Sequence, residues 1–417
     1  MQRLVKIITT PSARSAAVYY FGNFAINIGR YLFHLLLLRL LLPADYGEFL
    51  AYLSLLYLLG IPNTTIANIV TKYVAEFKGR GNDKAVNQFF YYLLGRLTPV
   101  TLATGLALII FSGPLATTFK AHPAAFVILG LSVFVGLLST MARSFLNAFQ
   151  RFTAQITIGG IEIISTILIA FILIRLGLSA TGAVTAQLMA GIIGTLLVFL
   201  LIRNSIIPKD RGKKISFTIR NFGGYSLIYA IGSLSLISTD VLLVRYFMSE
   251  HLSGIYSSLS ILGRMIFFGL SPLIALVLPI ATHRHAATKQ SRGVLVKLGA
   301  VIIMFGLSAA GLFSFFPGQT VALLSGANYL EAANYLPAFS FGMLFFSLNL
   351  FLVSYFMAIG KPRINLYLLL ATLAQPLLII FFHQSLDQIV WLNLVLETGL
   401  LATLIWQLFP LFFGKII

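Results

Sequence analysis

The sequence predicts an all-α integral membrane protein of about twelve transmembrane helices, arranged in two six-helix lobes around a central cavity. Three observations predict it: a composition too apolar for a soluble chain, apolar runs of bilayer length, and basic residues gathered in alternate connections. Of the 417 residues 59% are hydrophobic and 10% charged, with a mean hydropathy of +0.94, whereas soluble domains carry roughly 25% charged residues. A spanning helix needs about 20 apolar residues. Such runs fall approximately at 17–42, 48–71, 89–111, 123–147, 154–176, 179–202, 222–247, 253–281, 294–316, 333–359, 364–382 and 388–413.

The first run is too long for a signal-peptide core and no convincing cleavage site follows it, so it counts as a span. Residues 1–10 before it have the character of a short basic interfacial helix. Most of the 29 Lys and Arg lie near the N-terminus, at the C-terminus or after even-numbered spans, while Arg39, Lys120, Arg175 and Arg245 lie at the opposite ends. Basic residues are retained on the cytoplasmic side, so both termini are expected in the cytoplasm. This distribution accounts for the net charge of +18 without nucleic acid. With no cysteine in the chain, disulfides, thiolate catalysis and cysteine metal sites are excluded.

Taken in order, the spans differ in what they carry. In the first, Asn23, Asn27, Arg30 and His34 recur at steps of four, three and four, which stacks them on one helical face. The second contains Pro62, Asn63, Thr64, Thr65 and Asn68, a candidate cavity wall, although such residues serve helix packing equally well. Arg96 lies near the cytoplasmic end of the third, where its stem can snorkel, and marks a possible cytoplasmic entrance. Glu162 lies in the fifth, Asp240 in the seventh and Glu397 in the twelfth. The eighth repeats the polar stripe with Ser253, Ser257, Ser260, Arg264 and Ser271. Pro62, Pro99, Pro272, Pro279 and Pro376 each remove a backbone donor within a span, which lipid tolerates only where neighbours or cavity water satisfy the freed carbonyl.

The basic connection from Arg203 to Arg220 divides the spans six and six, giving an N-terminal lobe of 1–208 and a C-terminal lobe of 209–417. The halves are related in sequence. LLRLLLPADYGEFLAYLSLL from Leu37 parallels LLVRYFMSEHLSGIYSSLSIL from Leu242, with Arg39 against Arg245 and Gly47 against Gly254 after a one-residue shift. An even number of spans per repeat keeps both halves in the same orientation, related by an axis along the membrane normal.

An arginine at mid-span costs about 2.5 to 3.5 kcal/mol on insertion scales, so Arg30 and Arg264 need a reason. Two readings stay open. Paired with Glu162, Asp240 or Glu397 they are neutral scaffolding. Hydrated by the neighbouring Asn and Ser groups, they form a clamp for a bidentate oxyanion, for which a diphosphate is a well-matched membrane ligand. His34 and Asp240 are candidates to carry a coupling proton, or else satisfied polar groups. No Gly-x-x-x-x-Gly-Lys-Ser/Thr loop, nucleophile elbow, HExxH helix or close carboxylate pair is present, and His283 and His285 read as solvated rather than metal-binding. The chain is therefore expected to bind rather than to catalyse, with no cofactor and no metal.

Several segments carry a family resemblance: Leu42-Pro43-Ala44-Asp45-Tyr46-Gly47; Val74-Ala75-Glu76 through Lys84; Asp240-Val241-Leu242-Leu243 leading to Gly254-Ile255-Tyr256; Pro279; Leu324-Ser325-Gly326-Ala327-Asn328-Tyr329; and Ala358-Ile359-Gly360-Lys361. Through them nearly the whole chain resembles the polysaccharide transporter branch of the multidrug/oligosaccharidyl-lipid/polysaccharide exporters, which contains the O-antigen flippases. Leu42 stands where that pattern has glycine. The resemblance implies a flippase in the bacterial cytoplasmic (inner) membrane, moving an undecaprenyl-diphosphate-linked oligosaccharide to the outer leaflet by alternating access. It further implies coupling to a proton or sodium gradient and a possible partnership with a polysaccharide polymerase complex.

The related lipid II flippases have cavity arginines in their first and eighth spans, positions that correspond to Arg30 and Arg264. They carry another in the second span, where this chain has none, and usually fourteen spans. Both differences point toward a surface-polysaccharide repeat unit. On this reading Arg30 and Arg264 hold the diphosphate, and Asn23, Asn27, Asn63 and Asn68 meet sugar hydroxyls. A cation-coupled multidrug exporter is the alternative, using Tyr19, Tyr20, Tyr31 and Asp240. A multispanning glycosyltransferase or polymerase would need a long outer loop with catalytic acids, and here Asp45, Glu48, Glu250, Glu331 and Asp387 are scattered over short connections.

Overall fold

The computed structural model describes residues 11–203, 224–288 and 292–413, with the side chains of residues 11–20 and of some others, Asn68 and Pro279 among them, outside the description. All regular structure among the described residues is helical. In chain order the helices are α1 (Pro11–Leu40), α2 (Pro43–Leu59), α3 (Ile61–Gly79), α4 (Asp83–Ile110), α5 (Ser112–Thr118), α6 (Pro123–Ala148), α7 (Phe152–Arg175) and α8 (Ser179–Ile202). They continue with α9 (Gly224–Leu236), α10 (Thr239–Phe247), α11 (Glu250–Thr288), α12 (Arg292–Phe315), α13 (Pro317–Leu324), α14 (Leu336–Ala358), α15 (Asn365–Phe381) and α16 (Leu386–Phe413). Short 3₁₀ turns at Ala327–Asn334 and Pro362–Ile364 flank α14.

Among the described residues ten segments are long and apolar enough to cross a bilayer, or up to eleven with α2 and α3 counted as one broken span. The first predicted span corresponds to α1, a helix of 30 residues. The predicted second and seventh spans are each two helices, α2 with α3 and α9 with α10. By contrast α4 and α15 run through Pro99 and Pro376 as continuous helices. The chain divides into two compact units. One comprises the described residues before Leu41 with those of Leu59–Gly224; the other comprises Leu41–Leu58 with the described residues from Tyr225 onward.

In the first unit α7 packs on α1 and α8, and α6 on α3, α4 and α8. Lipid gives little hydrophobic incentive for helices to associate, so small residues that allow close approach decide where they meet. Gly22 and Gly29 of α1 receive Ile156 and Ile163 of α7, while Gly159 of α7 receives Ile26 of α1. This packing face lies about 100° around the helix from the stripe of Asn23, Asn27, Arg30 and His34, as 3.6 residues per turn requires. A second close crossing joins α4 to α6, where a Cβ on Gly105 would come within 2.6 Å of the Gly130 carbonyl. At the other end of this unit Phe89, Phe90 and Phe145 pack with Val70, Val74 and Met141, with the Phe90 and Phe145 rings edge to face at 5.2 Å.

The second unit is built around α14, of whose spanning window 72% is buried, compared with 11% for α4. Helices α11, α12 and α16 pack against it. Gly326, with φ at 103°, sits where an L side chain is strained, and turns the chain from α13 into the 3₁₀ segment carrying Tyr329. The Tyr329 ring meets Tyr46 edge-on at 6.1 Å, and its hydroxyl donates to the Leu41 carbonyl at 3.1 Å. Burial first, with the Asp45 charge adding to it, raises the Tyr329 phenol above its ordinary pKa, which keeps it a neutral donor. Fully buried Arg245 donates to the Ala44 carbonyl at 3.2 Å and draws electrostatic support from Glu48, Glu250 and Asp45. Three of the acids scattered over the short connections thus act electrostatically on one buried arginine.

Gly47 and Gly254, which align with each other in the two halves of the sequence, are also in contact. A Cβ on Gly47 would lie 2.7 Å from the Gly254 nitrogen, and a Cβ on Gly254 would overlap the Pro43 carbonyl. Because that obstacle is backbone it cannot rotate away, so Gly254→Ala is expected to lower stability by about 1–3 kcal/mol, the usual cost of overpacking. Gly79→Ala, where a Cβ meets nothing within 4 Å, serves as control. Thermal unfolding of the two purified variants in detergent checks the difference.

Candidate functional site

The polar chemistry of the second unit gathers at the break in the seventh predicted span. Helix α9 ends at Leu236 and α10 starts at Thr239. Between and around these ends lie Ser233, Ser235, Ser238, Thr239 and Asp240, residues whose side chains compete for backbone groups and favour caps and turns over helix interiors. The break frees two carbonyls in the middle of a membrane segment, where an unsatisfied group costs several kcal/mol. Both are taken up by side chains from other helices. Gln375 Nε2 of α15 donates to the Leu236 carbonyl at 3.0 Å, and the Arg264 guanidinium of α11 donates through Nη2 to the Ile237 carbonyl.

From this point hydrogen bonds run through the interior. The same Gln375 nitrogen donates to Asn393 Oδ1 of α16 at 2.9 Å. Asn393 Nδ2 donates to the Tyr256 hydroxyl at 3.2 Å, and Tyr256 in turn donates to Asp240 Oδ2 at 2.7 Å. Asp240 Oδ1 accepts from the Val241 backbone at 2.8 Å. One helical turn beyond Asn393, Glu397 accepts from Asn349 Nδ2 at 2.7 Å. Arg264 and Asp240 are each 2% exposed and Glu397 is 5% exposed. Arg264 acts electrostatically on Asp240, and Asp240 in turn on Glu397. Two carboxyl groups far apart in sequence therefore share one buried polar interior with a single guanidinium.

The serine stripe of α11 lines this interior. Ser253, Ser257, Ser260 and Arg264 are all buried, and the three hydroxyls, the Ser238 hydroxyl and Arg264 Nε have no hydrogen-bond partner among the described residues. Ser271, farther along, bonds the Phe268 carbonyl at 2.9 Å and Ser258, off the stripe, bonds Ser325 at 2.8 Å. A buried polar group left unpaired costs about 1–3 kcal/mol. A run of them on one face marks a place suited to polar solutes or water.

In the first unit the predicted residues are placed differently. Arg30 and Arg96 are exposed, Asn23, Asn27 and Asn63 half-buried, and His34 buried. Asn63 packs with its amide 3.8 Å from the position a Cβ would take on Gly136 of α6. The side chains of Asn68, Tyr19, Tyr20, His283 and His285 and most of the connection from Arg203 to Arg220 lie outside the described residues. Glu162 is paired with Arg143 at 2.5 Å, and Arg143 Nε also donates to Ser139 Oγ at 3.1 Å. Arg143 is the intramembrane cation that sequence reasoning missed, because it falls near the end of the fourth span beside the loop residue Arg151. Its spacing of four from Ser139, on a face that also carries Gly136, was the available signal. No group of three or more His, Cys, Asp or Glu suited to a metal ion occurs among the described residues.

No protein-family model matches the chain, and no curated protein matches it in sequence. Solved structures do. An inward-facing conformation of a multidrug resistance MATE family transporter of the MOP superfamily superposes with a TM-score of 0.74 at 12% identity, covering 94% of each chain. The lipid II flippase MurJ in an inward closed conformation gives a TM-score of 0.71 at 16% identity, over 94% of this chain and 87% of that one. An outward-facing conformation of a MATE family transporter gives 0.63 at 12% identity over 96% of each. The chain therefore has the fold of these exporters and flippases.

The Arg143–Glu162 pair is partly shielded, with side chains 19% and 27% exposed, so each partner depends on the other more than a surface pair would. Arg143→Ala and Glu162→Ala are each expected to lower stability, and the double variant to lose less than the sum. A coupling energy of about 1–2 kcal/mol in a double-mutant cycle, read by thermal unfolding, is expected; strict additivity would show that the contact contributes nothing.

Proposed function

We propose that this chain is a flippase that carries a polyprenyl-diphosphate-linked oligosaccharide from the inner to the outer leaflet of a bacterial cytoplasmic membrane by alternating access, with both termini in the cytoplasm. The observation that carries it is the state of Arg264: a permanent cation at mid-span whose Nη2 is held by a backbone carbonyl while Nε stands unpartnered in a stripe of unpartnered hydroxyls. A guanidinium with donors to spare, set among hydroxyls, suits a multidentate anion such as a diphosphate. Arg30, exposed on the polar face of α1, supplies a second cation. Asn23, Asn27 and Asn63 offer hydrogen bonds to sugar hydroxyls along the first unit, and Arg96 stands at the entrance.

Mechanistically, the residues of the second unit have separable tasks. Arg264 exchanges the Ile237 carbonyl for a phosphate oxygen when substrate is bound, and the break between α9 and α10 is released as it does so. Asp240 and Glu397 sit within reach of that event, so a proton or sodium ion taken up there compensates the change in local charge. Alternating access then requires the break to have two arrangements, one latched by Arg264 and one in which the arginine serves the substrate.

The buried Asp240, Tyr256 and Glu397 also favour a second reading, a cation-coupled multidrug exporter, because acids that exchange a cation serve efflux of cationic drugs equally well. Vesicles reconstituted with the protein and a fluorescent diphosphate-linked saccharide on a polyprenol separate the two. Arg264→Ala and Arg30→Gln are each expected to slow flipping by about tenfold to a hundredfold, the equivalent of roughly 1.5–3 kcal/mol for a charge-assisted hydrogen bond. Arg264→Lys is expected to recover part of the rate. Arg30, being exposed, reports on function even if the buried Arg264 variants fail to fold. Flipping at the parental rate in the Arg30 and Arg264 variants, together with drug efflux lost in Asp240→Asn, would replace the flippase reading with the exporter one.

A further inference from the structure

An apolar groove on the second unit lies away from the buried network, between α15 and α16. It has a volume of about 760 Å³ and is bounded by Leu370, Leu378, Trp391, Val395 and Leu396, with the small residues Ala374 and Gly399 opening its floor. Toward the start of α15 it runs into a second hollow of about 630 Å³ through the shared residues Tyr367 and Leu370. That hollow changes character. It is bordered by Lys361, Arg363 and Gln407, and Gln407 Nε2 donates to the Tyr367 hydroxyl at 3.2 Å across the junction. The two cations are exposed and form no ion pair among the described residues.

We propose that this continuous hollow is a binding site for an anionic phospholipid of the adjoining leaflet, with the phosphate at Lys361 and Arg363, the ester groups at Tyr367 and Gln407, and one acyl chain in the groove between α15 and α16. Three features carry it. Charge complementarity is one-ended: both cations stand on the turn between α14 and α15, which the Asn365 Nδ2 bond to the Pro362 carbonyl, at 2.9 Å, holds in place. The groove faces the bilayer, because the only two tryptophans of the chain, Trp391 and Trp406, both lie on α16 and are 52% and 74% exposed. Tryptophans prefer the membrane interfaces, and these two are separated by about 22 Å along the helix at 1.5 Å per residue.

The groove is long enough for an acyl chain of one leaflet. A leaflet contributes about 15 Å of the roughly 30 Å hydrocarbon core, and from Tyr367 to Phe382, both lining the groove, α15 with its C-cap rises about 22 Å, so the acyl chain occupies the part of the groove nearer the cations. An acyl chain in the groove replaces mobile lipid contacts by close packing along a fixed wall, while each basic residue near the surface favours an anionic headgroup over a zwitterionic one. The groove shares no lining residue with the Arg264 network and would be present whichever substrate the protein moves.

The test uses the full chain reconstituted in vesicles of equimolar phosphatidylglycerol and phosphatidylcholine, extracted mildly, with retained lipid identified by native mass spectrometry. Phosphatidylglycerol is expected to exceed phosphatidylcholine by about tenfold on the parent protein. Lys361→Gln with Arg363→Gln is expected to bring that ratio close to one. Gly399→Phe is expected to remove the bound lipid while the cations remain; a Cβ at Gly399 meets nothing within 4 Å, so this variant should fold. A ratio near one on the parent, an unchanged ratio in the double variant, or unchanged lipid in Gly399→Phe would overturn the proposal. So would displacement of phosphatidylglycerol by an equimolar polyprenyl phosphate, which would assign the groove to a carrier lipid instead. Because flipping is not measured, this result stands apart from the fate of the flippase reading.

Discussion

Two carbonyl oxygens govern the interior of the second unit. Hydrocarbon offers no hydrogen bonds, so a helix that breaks inside the bilayer must find donors for the carbonyls it releases. The break between α9 and α10 releases those of Leu236 and Ile237, and the donors come from Gln375 and Arg264. Much else follows from those two assignments. Gln375 orients Asn393, Asn393 fixes the Tyr256 hydroxyl, and Tyr256 holds the carboxylate of Asp240. An arginine costly to insert at mid-span is at once the partner of a freed carbonyl and a cation beside an acid.

The two units handle helix-borne acids in contrasting ways. Glu162 in the first is met by a full charge, Arg143, at short range. Asp240 and Glu397 in the second are met by neutral donors, a phenol and an amide, with Arg264 acting on Asp240 without a direct ion pair among the described residues. An ion pair neutralises a carboxylate and leaves little reason for another cation to bind. The Arg143–Glu162 pair is neutral in itself, whereas Asp240 and Glu397 take their hydrogen bonds from neutral donors.

Glycine acts in opposite senses at different depths. At Gly47 and Gly254, or Gly105 and Gly130, backbone meets backbone, and any side chain would part the helices. Gly399 instead faces open space, so its missing side chain leaves a hollow rather than a contact. The first use builds the protein and the second leaves room for the bilayer to enter it. Residue type alone does not separate the two; what lies opposite does.

How much of this was legible in the sequence depended on whether a signal was local. Apolar run length, the alternation of basic connections and the polar period of four, three and four on α1 all follow from the chain's own spacing. They gave the helical membrane class and a polar stripe on α1 that includes exposed Arg30. Prolines were an uneven guide: Pro62 stands at the break between α2 and α3 and α4 and α15 continue through Pro99 and Pro376, whereas the break between α9 and α10 falls at Ile237 and Ser238, where there is neither proline nor glycine. The partner of Glu162, the carbonyl that Arg264 holds and the electrostatic interaction of Asp240 with Glu397 were decided only by tertiary structure. Each joins groups 19 to more than 150 residues apart, and in a medium without water the choice among distant partners is set by which helices pack together. Sequence fixes what each helix needs to satisfy, and packing determines which neighbour satisfies it.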